Sequence, residues 1–125
     1  MQSAVGSPKV ATIEPAEVAR LLEQGDVVVV DNNPESRWAA GHVPGAVNLD
    51  PADYQREDLP ATGETTPLIF YCKSLGCGAS HYAARRAVGM GFSKVFVMPA
   101  GIAGWIRAGL RVERSTPDRS TRQPR

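Results

Sequence analysis

The run Val27-Val28-Val29-Val30, emptying into Asp31-Asn32-Asn33-Pro34, sets the tightest limit on what this chain can become. Four β-branched residues in succession have no polar side to turn toward water, so the strand they form is covered on both faces. Strands of that kind belong to parallel sheets layered between helices. One domain has to supply all the layers: 125 residues, 42% of them hydrophobic, suffice for one such domain and are too few for two.

The rest of the chain alternates strand and helix around that run. Residues 1–8 read as a flexible lead-in and Lys9 to Ile13 as a first short strand. Pro15 stands where a first-turn proline belongs, and Val18, Ala19, Leu21 and Leu22 recur at helical spacing until Gly25. Pro34 to Ala40 reads as a short helix stopped by Gly41, and His42-Val43-Pro44-Gly45 as a turn into a strand at Ala46 to Leu49. Pro51 to Asp58 is expected to make a helical turn or two, and Pro60 to Pro67 a loop. Leu68 to Tyr71 is the fourth strand, Ser80 to Met90 a helix with one buried face, Lys94 to Met98 the fifth strand and Ile102 to Ala108 a last short helix. Beyond Val112 the composition turns to Arg, Ser, Thr, Pro and Gln, so residues 113–125 are expected to form a flexible basic tail and residues 9–112 the domain. The expected fold class is α/β, a mostly parallel five-stranded sheet with helices on both faces.

In such sheets the ligand site lies at the carboxyl ends of the strands. Cys72 falls at one of those ends, where Leu68-Ile69-Phe70-Tyr71 gives way to Lys73-Ser74-Leu75-Gly76-Cys77-Gly78 and then to a helix. A thiol bordered by backbone N–H groups and a helix N-terminus sits in a positive local field, which favours the thiolate and makes it a nucleophile. Small residues in the loop let its backbone amides approach an oxyanion closely. Taken locally, Cys72 serves equally well as a buried strand-end residue; its place at the sheet's carboxyl edge favours catalysis. Asp31 ends another strand and is a candidate for the same crevice.

Three segments together resemble the rhodanese family of single-domain sulfurtransferases. Val28-Val29-Val30-Asp31 followed by Trp38 to Leu49, with its Gly41-His42-Val43-Pro44-Gly45-Ala46 turn, resembles the first signature of that family. Phe70-Tyr71-Cys72 resembles the strand into its active-site loop, and Gly91 to Val95 with Ala100 to Trp105 its closing segment. The resemblance implies a catalytic cysteine, Cys72, that accepts sulfane sulfur from thiosulfate or a persulfide and passes it to a thiol or cyanide. It implies that the amides of Lys73 to Gly78 form the substrate cradle and that Asp31 and His42 serve the architecture. It implies no cofactor.

The chain also departs from the family pattern. The commonest loop carries an arginine about five residues after the cysteine, where this chain has Cys77. Charge for an anionic donor is then left to Lys73, to the Arg85-Arg86 helix or to the backbone alone, and the element after the second strand is Asp31-Asn32-Asn33 with Arg37 the nearest guanidinium. Cys77 is a candidate resolving thiol: by attacking a persulfide on Cys72 it would release the sulfur and leave a disulfide for a thioredoxin-like reductant to reopen. A zinc site from Cys72, Cys77 and His81 is disfavoured, since three ligands are too few for a closed site. A thiol phosphatase needs an arginine six residues after its cysteine, and Gly78 stands there; arsenate reduction and a non-catalytic binding module remain as alternatives.

A net charge of +1 gives no reason to expect nucleic acid or a membrane as a partner. Two cysteines five positions apart suggest a reducing compartment or a local redox pair, and with no signal-like start the expected location is the cytoplasm. The expected state is a monomer or weak homodimer.

Overall fold

A computed structural model of the chain describes residues 10–115, so the expected lead-in at 1–8 and the tail beyond 115 lie outside the described residues. In chain order the elements are β1 (Ala11–Thr12), α1 (Pro15–Gln24), β2 (Val28–Asp31), α2 (Glu35–Ala40), β3 (Val47–Asn48), a 3-10 turn (Arg56–Asp58), β4 (Leu68–Tyr71), α3 (Ala79–Gly89), β5 (Val95–Val97) and α4 (Gly101–Arg107). The five strands form one sheet in the order β1-β5-β4-β2-β3, and every pairing in it is parallel. Every residue of β2 and β4 is buried, as two-sided coverage requires.

Alternation along the strands sorts the core into two layers. Val28, Val30, Leu68 and Phe70 pack on one face with Ala83, Ala84 and Ala87 of α3. Val29, Ile69 and Tyr71 pack on the other with Val18 of α1 and Ile102 and Trp105 of α4. Alanines on the inner side of α3 let that helix lie close to the sheet, and the room left over is filled by Tyr54 and Phe92.

Between Pro51 and Asp58 one helical turn forms, Arg56–Asp58, the lesser of the turn or two that the sequence suggests. Its place in the fold is set instead by Tyr54, fully buried, whose hydroxyl donates to the Ala83 carbonyl at 2.6 Å. Burial pushes the Tyr54 phenol up to about 12, so it stays a donor at any physiological pH.

The chain also stays with the domain past Val112. His42 and Glu113 exchange backbone hydrogen bonds at 2.8 and 2.9 Å, and the Ser115 amide donates to Ala39 at 2.9 Å. These bonds attach the first residues of the expected tail to the end of α2 and the turn after it.

Candidate active site

β4 is the middle strand, and its hydrogen bonds show how the chain leaves the sheet. The Phe70 carbonyl accepts from Met98 just past β5, and the Tyr71 carbonyl from Asn32 just past β2. The next two carbonyls turn to α4: Cys72 accepts from the Ile102 amide at 3.0 Å and Lys73 from the Ala103 amide at 2.9 Å. First-turn amides of a helix have no partner within it, so α4 has these two donors free to anchor the cysteine loop. Close approach makes the anchoring possible. A Cβ on Gly101, at φ +66°, would lie 2.6 Å from the Lys73 carbonyl carbon and oxygen.

Cys72 itself is buried at the end of this handover. Its Sγ accepts a hydrogen bond from the Ser80 amide, 3.3 Å away in the first turn of α3. An amide at the positive end of a helix stabilises negative charge on sulfur, which is the property a thiolate nucleophile needs. The loop from Lys73 to Gly78 turns back through Gly76, at φ +87°, and brings Cys77 to Cys72. The two form a disulfide, with Cα atoms 6.3 Å apart. Leu75 stands at the loop tip, 74% exposed, and Lys73 is also exposed.

Asp31 lies opposite Tyr71 in the sheet register and is fully buried. Its Oδ2 accepts from the Tyr71 hydroxyl at 2.6 Å and its Oδ1 from the Asn33 amide at 2.7 Å. Burial raises the Asp31 carboxyl above its ordinary range, and the hydrogen bonds from Tyr71 and Asn33 pull the other way. The Tyr71 oxygen in turn accepts from the Val43 amide at 3.0 Å. Asp31 thereby ties β2, β4 and the turn after α2 into one buried polar cluster, an architectural role.

His42 belongs to the same corner. Its Nδ1 lies 2.8 Å from the Trp38 carbonyl, which can only accept, so Nδ1 carries the proton. The ring stacks on Trp38 at 4.6 Å between centroids. The remaining sequence-derived cations are placed elsewhere. Arg86 lies over the Tyr54 ring at 4.7 Å and reaches the Pro51 carbonyl, and Arg37 is exposed on α2.

One contributor escaped the sequence reading: the Ser80 amide, legible in hindsight as the second residue of a helix that follows a cysteine loop. Ser74, Leu75, Ala100, Ala103 and Arg107 line a cavity of about 150 Å³ between α4 and the loop. Among the described residues no three His, Cys, Asp or Glu side chains gather as a metal site would need, and no helix is long and apolar enough to cross a membrane.

Residues 14–108 match the family model described as Rhodanese-like domain. Among curated proteins, the chain is 36% identical over 97 residues to thiosulfate sulfurtransferase GlpE of Pseudomonas entomophila, covering 74% of this chain and 82% of that one. It is 34% identical over 113 residues to an HTH-type transcriptional regulator of Mycobacterium tuberculosis, covering 90% of this chain but only 49% of the regulator. Uncharacterized protein YibN of Escherichia coli is 29% identical, with 85% of this chain and 74% of that one covered. Thus the chain spans about half of one of these relatives and about three quarters or more of the others. Among solved structures, a thiosulfate sulfurtransferase from Pseudomonas aeruginosa superposes with a TM-score of 0.72 at 23% identity, over 91% of this chain and 22% of that one. The BH2092 protein from Bacillus halodurans superposes with a TM-score of 0.74 at 20% identity, over 84% of this chain and 77% of that one. The parallel sheet, the strand-end cysteine and these matches agree, and the chain belongs to the rhodanese-like domain family.

Proposed function

We propose that this domain is a sulfurtransferase that carries sulfane sulfur as a persulfide on Cys72. The observation that carries the reading is the position of Cys72 Sγ, at the carboxyl end of the middle strand with the Ser80 amide of α3 directed at it. Relatives named thiosulfate sulfurtransferase support the same reaction class.

In the first step the Cys72 thiolate attacks the sulfane sulfur of a donor such as thiosulfate. An S–S bond forms on Cys72, the donor's S–S bond breaks, and sulfite leaves with the electron pair. In the second step an external thiolate or cyanide takes the outer sulfur and Cys72 leaves as thiolate. Cys77 offers an internal exit. Its thiolate attacks the inner sulfur of the Cys72 persulfide, hydrosulfide departs, and the Cys72–Cys77 disulfide remains; a dithiol reductant of thioredoxin type then restores both thiols while it is itself oxidised. The disulfide of the structure corresponds to the end of that path, and in this state Cys72 has no thiol to load.

Mass spectrometry of the reduced, desalted protein after incubation with thiosulfate or a low-molecular-weight persulfide tests the reading. Wild type should gain one sulfur transiently and Cys72→Ser none, while Cys77→Ser should hold the persulfide that wild type discharges. A gain of sulfur by Cys72→Ser, or none by wild type and Cys77→Ser alike, removes Cys72 as the carrier. Equal discharge by wild type and Cys77→Ser removes Cys77 as the resolving thiol.

A further inference from the structure

We infer that Cys72 and Cys77 form a thiol–disulfide exchange centre of fixed polarity: a protein dithiol attacks Cys77, and Cys72 leaves as the thiolate. The exchange applies to the disulfide however that bond was made, by discharge of a persulfide or by direct oxidation, and so goes beyond sulfur transfer.

The two sulfurs of the bond differ in access. Cys72 is 3% exposed, closed in at the end of the middle strand, with its carbonyl tied to α4 and its Sγ held by α3. Cys77 is only partly buried and stands between Gly76 and Gly78, both exposed and neither bearing a side chain to screen it. Leu75 and Lys73 are exposed on the same loop. A thiol carried on another protein can meet a sulfur only where the surface opens to it, and access is one of the factors that select the sulfur attacked.

They differ as leaving groups too. The Ser80 amide in the first turn of α3 donates to Cys72 Sγ at 3.3 Å, and that N–H at the positive end of an 11-residue helix stabilises a thiolate as it forms. Among the described residues no hydrogen bond reaches Cys77 Sγ. The sulfur whose thiol is the stronger acid leaves faster, so access and leaving-group quality select the same direction.

The incoming thiolate forms an S–S bond to Cys77, the Cys72–Cys77 bond breaks, and its electron pair leaves on Cys72 Sγ. The second thiolate of the dithiol then attacks the dithiol's own bonded sulfur, Cys77 leaves as thiolate, and the dithiol departs as a disulfide, oxidised by one electron pair. Protons of the dithiol pass to solvent, from which Cys77 takes one back. Cys72 thus regains its nucleophilic form in the first step, while Cys77 is still bonded to the partner.

Lys73 lies between the two cysteines, so trypsin places them on separate peptides and the polarity can be read directly. The probe is thioredoxin with the second cysteine of its active site replaced by serine, which halts exchange at the mixed disulfide. The full chain is oxidised with diamide, mixed with the probe, quenched at early times with iodoacetamide, digested and mapped by mass spectrometry. The probe should lie on the Cys77 peptide at roughly ten times its level on the Cys72 peptide, with Cys72 alkylated in the same adduct. Equal adducts on the two peptides, a majority on Cys72, no adduct at all, or two free thiols after diamide would each overturn the exchange centre. No sulfane sulfur enters this experiment, so failure of the protein to gain sulfur from a donor would overturn the persulfide reading alone.

Discussion

Asp31 is a carboxylate kept in the core by its neighbours, and it should be visible in the pH dependence of stability. Burial raises its folded-state value above the ordinary 3.8, more than the Tyr71 and Asn33 hydrogen bonds lower it. A carboxyl protonated more readily folded than unfolded contributes stability that is fully present below the unfolded value and is lost as pH rises through the folded one. Asp31→Asn keeps the shape and removes the titration. The urea midpoint from pH 4 to 7 should therefore fall more steeply in wild type than in the variant; parallel profiles would show that Asp31 titrates alike folded and unfolded. Tyr71→Phe should cost about 1–3 kcal/mol, because both Asp31 and the Val43 amide lose a buried partner. At this scale the sequence was partly legible. The end of β2 marks Asp31 as notable, but its partner is a tyrosine forty positions on, and only the strand register brings the two side by side.

Among the elements, α4 has more to do than its length suggests. Its first-turn amides hold the carbonyls of Cys72 and Lys73, and Gly101 admits the contact. Gly101→Ala combines a left-handed backbone with a Cβ placed against the Lys73 carbonyl. It should destabilise the protein by about 2 kcal/mol or more by urea unfolding. Because the loop must shift to make room, persulfide formation on Cys72 should slow as well; full activity in a stable Gly101→Ala protein would mean that the loop does not depend on α4. The sequence reading found this helix, as Ile102 to Ala108, from hydrophobic spacing. What the helix holds was illegible, since spacing describes the face a helix buries and says nothing of where its end amides point.

For the whole molecule, the strands buried on both faces declared themselves most clearly, and they carry the architecture: β2 and β4 are inner strands of the sheet. The expected end of the domain at Val112 was read from composition, which registers the loss of apolar residues but not a backbone pairing. The bonds of Glu113 and Ser115 to His42 and Ala39 need no apolar side chain. Ending the chain after Val112 should lower stability by about 1–3 kcal/mol relative to the full chain, read from the thermal or urea midpoint. The Cys72 persulfide should still form, because those bonds lie at the end of α2 and not at the loop. The strand order has its own consequence for how the protein comes into being. β1 is made first, yet it pairs with β5, so on the ribosome it waits for almost the entire domain to be synthesised before it finds its place. Until then β5's position beside β4 is also empty, and the nascent sheet exposes the backbone edge of its middle strand, the one that leads into Cys72.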